Sequence, residues 1–85
     1  MKYSAGSLES SDCLITISSS NTLNIVIESV VFKQFGDDIL AVIKNTLKDH
    51  KIEHLDVLCQ DKGALDYTIK SRLETAILRR GENNE

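Results

Sequence analysis

Proline and tryptophan are absent from this chain of 85 residues. Without proline no turn is stiffened at φ, so the ends of its elements are only weakly marked. No apolar run approaches the roughly 18 residues of a membrane span. No charged-then-apolar leader opens the sequence either. These absences predict a cytoplasmic protein that makes no membrane contact. An excess of basic charge is also missing: 10 Lys and Arg stand against 13 Asp and Glu, for a net charge of −3. The basic residues are scattered, with only Arg79-Arg80 adjacent. Nucleic acid is therefore excluded as a partner, because phosphate binding needs clustered cations that release counterions. Cysteine is scarce, and Cys13 and Cys59 both fall in strand-like segments. They read as small buried thiols rather than a disulfide.

What is present is enough for one small domain. A chain this short buries only about 60–65% of the surface its unfolded form exposes, so nearly every apolar residue is needed for the core. Little is left to wall a deep catalytic pocket. Carriers, adaptors and regulators are the function classes this size favours.

Residues 1–12 hold Gly6 and several serines with no apolar periodicity, and predict a flexible, exposed N-terminal arm. Cys13-Leu14-Ile15-Thr16-Ile17 is rich in β-branched residues and reads as a strand. After the polar break Ser18-Ser19-Ser20-Asn21, the run from Leu23 to Glu28 sets Leu23, Ile25 and Ile27 on one face. The two runs predict a β-hairpin, although no Asn-Gly or Asp-Gly turn fixes its type. From Phe35 the period lengthens. Phe35, Ile39, Val42, Ile43, Thr46 and Leu47 recur at helical spacing, with Asp37 and Asp38 at the N-terminal end and Lys48, His50 and Lys51 at the C-terminal end. Leu55, Val57 and Cys59 alternate as a third strand. Asp61 is placed to cap a second helix with the stripe Leu65, Ile69, Leu73, Ala76 and Ile77, Arg79 and Arg80 against its C-terminal dipole and Gly81 as its stop. The expected architecture is α+β, in the order ββαβα, with two helices packed on one face of a small antiparallel or mixed sheet. A single domain spans 13–81, and residues 82–85 form a frayed tail.

Catalytic equipment is hard to find. His50 and His54 have the i, i+4 spacing of a helical metal pair, but the predicted helix end falls between them and no third ligand is indicated. They read as two solvated histidines. Asp61-Lys62-Gly63-Ala64 is a helix start rather than a phosphate loop. Asp37-Asp38 reads as a pair of dipole partners rather than an acid–base couple. Neither histidine stands near a serine in sequence, as a nucleophile triad would need. No catalytic residue and no metal ligand is assigned, and the chain is expected not to be an enzyme.

Three stretches carry a family resemblance. Ala5-Gly6-Ser7-Leu8-Glu9-Ser10-Ser11-Asp12 resembles the N-terminal signature of the citrate lyase acyl carrier proteins, the γ chain of that complex. Phe32-Lys33-Gln34-Phe35-Gly36-Asp37 agrees with the same family, as does Asp61-Lys62-Gly63-Ala64-Leu65-Asp66 followed by Arg72-Leu73-Glu74. The motifs are colinear and span nearly the whole chain. The family has glycine directly after its modified serine, where this chain has Ser11.

The resemblance implies a non-catalytic carrier subunit. Ser10 would hold 2'-(5''-triphosphoribosyl)-3'-dephospho-CoA through a phosphodiester, attached by a holo-carrier-protein synthase. The group would carry acetyl and citryl as thioesters between a transferase (alpha) and a lyase (beta) subunit during cleavage of citrate to acetate and oxaloacetate. An exposed, mobile segment suits such an anchor. Glu9 and Asp12, flanking Ser10, are expected to repel the anionic group from the domain surface. A carrier subunit of malonate decarboxylase, and an unmodified interaction module, are the alternatives.

Overall fold

A computed structural model describes residues 1–82. Its elements are β1 (Lys2–Gly6), β2 (Cys13–Ser18), β3 (Leu23–Ser29), α1 (Phe32–Asp49), β4 (Leu55–Asp61) and α2 (Asp66–Glu82). The α+β class is as the periodicities predict, with one more strand at the N-terminus. The four strands form one mixed sheet in the order β1-β2-β4-β3. β1 and β2 are antiparallel, β2 and β4 antiparallel, and β3 and β4 parallel. Among the described residues no helix is long and apolar enough to cross a membrane.

Burial explains this order. On β4, Leu55, Val57, Cys59 and Asp61 are all buried, so this strand belongs in the middle of the sheet, where both its edges find backbone partners. It separates the two runs predicted to form a hairpin: β2 and β3 flank β4 and do not pair with each other. Alternation identified the strands but carried no information about partners, and no turn residue between them forces a hairpin. The parallel β3–β4 pair is instead joined through α1, a helical crossover.

The expected free arm is also corrected, because its first part is β1. Tyr3 and Ala5 alternate into the core at 9% and 4% exposure, and β1 packs beside α2. Arg79 of α2 donates a hydrogen bond to the Ser4 carbonyl. With two modest apolar residues and no β-branched side chain, the strand has a weak signature, and its place on the sheet comes from tertiary contact.

Both helices cover one sheet face. The core joins Cys13, Ile15 and Ile17 of β2 with Leu55, Val57 and Cys59 of β4, Ile39, Ile43 and Leu47 of α1, and Ile69, Leu73 and Ala76 of α2. Thr46 is buried as well, and its hydroxyl donates to the Val42 carbonyl at 2.7 Å. The helix starts differ from expectation. α1 begins at Phe32, so no acidic residue lies in its first turn, and Asp37 and Asp38 stand beyond the reach of the terminal dipole. α2 begins at Asp66, and Asp61 is the buried last residue of β4, not a helix cap. Gly81 lies within α2 rather than ending it. Glu82 is its last residue, and the rest of the tail predicted to fray, 83–85, lies outside the described residues.

Leu73 is fully buried and Leu78 is 62% exposed on the same helix. Leu73→Ala is expected to cost about 3 kcal/mol and Leu78→Ala less than about 0.5 kcal/mol. Urea unfolding midpoints at unchanged slope check the difference.

Candidate functional site

The chain leaves β1 and enters β2 through the 7–12 loop, which carries Ser10. At its first root, Gly6 has φ +100°. A Cβ there would lie 1.9 Å from the Cys13 carbonyl oxygen, so the position requires glycine. Ser7 N–H donates to that same carbonyl at 3.1 Å.

At the second root stands Asp12. Its Oδ1 accepts the Cys13 N–H at 2.7 Å and Arg72 Nε at 3.0 Å, while Oδ2 accepts the Ser7 hydroxyl at 2.8 Å and Arg72 Nη2 at 3.1 Å. The fork of Arg72, presented by α2, thus grips the carboxylate with two parallel charge-assisted bonds. The Arg72 guanidinium, the Cys13 amide and the Ser7 hydroxyl together bring the Asp12 carboxyl from its ordinary 3.8 to about 2. Asp12 therefore does not act as the free repelling charge expected of it. It anchors the loop.

Backbone bonds complete the clamp. Ser11 N–H donates to the Lys62 carbonyl at 2.8 Å, and Lys62 N–H donates to the Asp12 carbonyl at 2.9 Å, carrying the β2–β4 ladder past its last register pair. Asp12 N–H donates to the Glu9 carbonyl at 3.1 Å, closing a four-residue turn over Glu9, Ser10, Ser11 and Asp12. In that turn Ser11 alone has a positive φ, +65°. A type II turn demands this at its third residue, where glycine sits without strain. Ser10 occupies the exposed second position, and its hydroxyl takes part in none of these bonds. Ser7, by contrast, spends its hydroxyl on Asp12 and on the Glu9 N–H.

Residues 1–80 match the family model described as Malonate decarboxylase delta subunit (MdcD). The chain is 43% identical over 83 residues to the citrate lyase acyl carrier protein of Halothermothrix orenii, covering 96% of this chain and 88% of the relative. It is 45% identical over 83 residues to the one from Clostridium perfringens, at 95% and 82% coverage. Against that of Streptococcus mutans it is 49% identical over 77 residues, at 88% and 76% coverage. The chain belongs to the citrate lyase acyl carrier protein family. No solved structure matches it significantly.

In this acyl carrier family member the histidines lie away from Ser10, and the cysteines and Asp61 are engaged elsewhere. His50 follows α1 at the opposite end of the sheet and pairs with Glu74 of α2 at 2.9 Å. His54 lies in the connection before β4, so the two histidines share no helical face. Cys13, next to the loop, is fully buried, as is Cys59. Contact between the two thiols and burial push the Cys59 thiol upward while the same contact holds Cys13 lower; with both fully buried, neither is presented to a reagent from solvent. Asp61 accepts the Ser29 hydroxyl at 2.7 Å and the Ala64 N–H at 2.9 Å, which shapes the connection into α2 beside the loop. Arg72 is the functional residue that the sequence hides. Its signal was its place in the third motif, but no spacing rule links it to Asp12, from which it is separated by 60 positions.

Two outcomes follow from the clamp. Below about pH 4 the unfolded chain takes up a proton that folded Asp12 refuses until about pH 2, so this contribution to stability is present above that window and lost as pH falls through it. Asp12→Asn is expected to flatten that part of the profile, measured by urea unfolding at pH 4, 3 and 2; an unchanged slope contradicts the clamp. Gly6→Ala is expected to destabilise by more than about 1 kcal/mol, while Ser11→Gly unfolds at no lower denaturant than the parent.

Proposed function

We propose that this chain is the acyl carrier subunit of a citrate lyase and that Ser10 Oγ is the covalent anchor of its prosthetic group, the phosphoribosyl-dephospho-CoA that 2'-(5''-triphosphoribosyl)-3'-dephospho-CoA would leave on losing pyrophosphate. The observation that carries this reading is an uncommitted hydroxyl at the exposed apex of a loop whose two roots are fastened to the sheet and to α2. The residues fit such a group. Glu9, Ser10 and Ser11 are all exposed, the neighbouring carboxylate of Asp12 is neutralised by Arg72, and Glu9 is left as the adjacent anion. Naming of the relatives as citrate lyase acyl carrier proteins supports the same reading.

Forming the phosphodiester needs an activated ribosyl triphosphate as donor. Ser10 Oγ attacks the phosphorus next to the ribose, the bond to the leaving pyrophosphate breaks, and the hydroxyl proton passes to a base. Neither histidine can be that base, because both lie at the far end of the domain, and the reading assigns it to the attaching synthase. When bound, the group supplies a thiol for acyl-thioester chemistry. The chain's own residues do the positioning. Gly6, Asp12 and Arg72 fix the root of the tether, so its reach is set by the group rather than by a wandering peptide. A tether of defined origin raises the effective concentration of its cargo at the active sites of the transferase and lyase subunits. All of this takes place in the cytoplasm, where the partner subunits would be met.

The match to a malonate decarboxylase subunit model favours a second reading, a carrier in that enzyme. Reconstitution separates the two: oxaloacetate release from citrate supports the first, and carbon dioxide release from malonate supports the second. Ser10→Ala is expected to abolish turnover in the reconstituted complex and to gain no mass from the attaching synthase, while Ser11→Ala keeps both. Mass gain by Ser10→Ala would overturn the assignment.

A further inference from the structure

The end of the domain that presents the loop also carries most of the exposed large apolar side chains: Leu8, Val30, Phe32, Phe35, Leu65 and Tyr67. Topology brings them together. β3 ends at Ser29, opposite Asp61, the last residue of β4, and Val30 N–H donates to the Asp61 carbonyl. Both helices therefore start at this end. Between the first turns of α1 and α2 lies a groove of about 680 Å³, lined by Phe35, Ile39, Ala64, Leu65 and Tyr67 among others. It is mainly apolar, and its charged lining residues are Asp38, Asp61 and Asp66, with no lysine or arginine. Asp61 is satisfied internally, which leaves Asp38 and Asp66 facing outward. Groove and loop meet at one turn: Asp61, Gly63 and Ala64 line the groove, and Lys62 between them bonds the loop at Ser11 and Asp12.

We infer that this groove is the docking site of the enzyme that esterifies Ser10, and that it receives an apolar side chain of that enzyme flanked by lysine or arginine. The inference rests on the reading of Ser10 as the anchor. Subunits visited by a long tether can work without touching this end, but the enzyme that attaches the tether must bring Ser10 Oγ into its own active site. A stable grip buries roughly 800 Å² on each partner. The turn bearing Ser10 is too small to provide that, so the enzyme must also cover the surface beside it. What stands there is an exposed apolar patch with a carboxylate rim, the kind of surface that marks a protein contact. The same rim repels the anionic group itself, so charge favours a cation-flanked polypeptide over a parked prosthetic arm.

The test follows attachment by intact mass with the purified synthase and the full chain, comparing the parent with the double variant Leu65→Ser/Tyr67→Ser and with Asp38→Lys. All three positions are exposed, and urea midpoints confirm that the variants fold. Each variant is expected to raise KM on the order of tenfold. The KM of the parent rises with ionic strength and that of Asp38→Lys rises less. Ser10→Ala, which cannot be esterified, is expected to compete with the parent for the synthase, and to stop competing once it also carries the Leu65 and Tyr67 changes. Unchanged KM in the groove variants, or undiminished competition by the combined variant, overturns the docking site while leaving Ser10 in place. A dimer of the parent that the Leu65 and Tyr67 changes dissociate, with KM unchanged, assigns the groove to a second copy and overturns the inference too. Mass gain by Ser10→Ala refutes the anchor instead, and is read separately from KM.

Discussion

The bidentate grip of Arg72 on Asp12 is the interaction on which the site depends. It links the loop between the first two strands to the middle of the last helix, joining residues 60 positions apart. One carboxylate collects the guanidinium, the Cys13 amide and the Ser7 hydroxyl, which leaves Ser10 as the exposed apex residue whose hydroxyl has no part in holding the loop. The result is a short, fastened pedestal. That differs from the swinging arm suggested by a serine-rich composition; on the proposed function, the mobility needed for carriage would come from the attached group rather than from the polypeptide.

How far the fold was legible depended on how each element is stabilised. α1, β2 and β4 were plain in the sequence, because Ile39, Ile43 and Leu47, or Leu55, Val57 and Cys59, repeat with the period of the structure that buries them. β1 was not, since Tyr3 and Ala5 are held by α2 and by the edge of β2 rather than by any propensity of their own. The pairing of β3 with β4 was hidden for another reason. Alternation fixes which face a residue takes but not which strand lies alongside, and that choice is made by the need to place β4, whose Leu55, Val57, Cys59 and Asp61 are all buried, inside the sheet.

The site was legible in part. Ser10 stands in a motif of the sequence and lies exposed at the apex of the loop, whereas the device that presents it was invisible. Asp12 looked like one more surface charge and Arg72 like one more helix cation, because a pair made across the tertiary fold leaves no spacing behind. Ser11 is instructive in the same way. Its φ of +65° gives a physical reason for the glycine that the family signature has there, and shows that this chain keeps the turn while tolerating a side chain in it.

All the features tied to Ser10 share one end of the molecule: the fastened loop, the ends of β3 and β4, the starts of both helices and the groove between them. The crossover through α1 produces this, since it brings β3 and β4 to the same edge and starts each following helix there. The measurement that tests the account most directly is peptide mass mapping, with fragmentation to single-residue resolution, of the 4–14 segment from the native organism. The account predicts one phosphodiester adduct, on Ser10, with Ser7 and Ser11 unmodified. An active protein bearing the adduct on another residue, or bearing none, would contradict it.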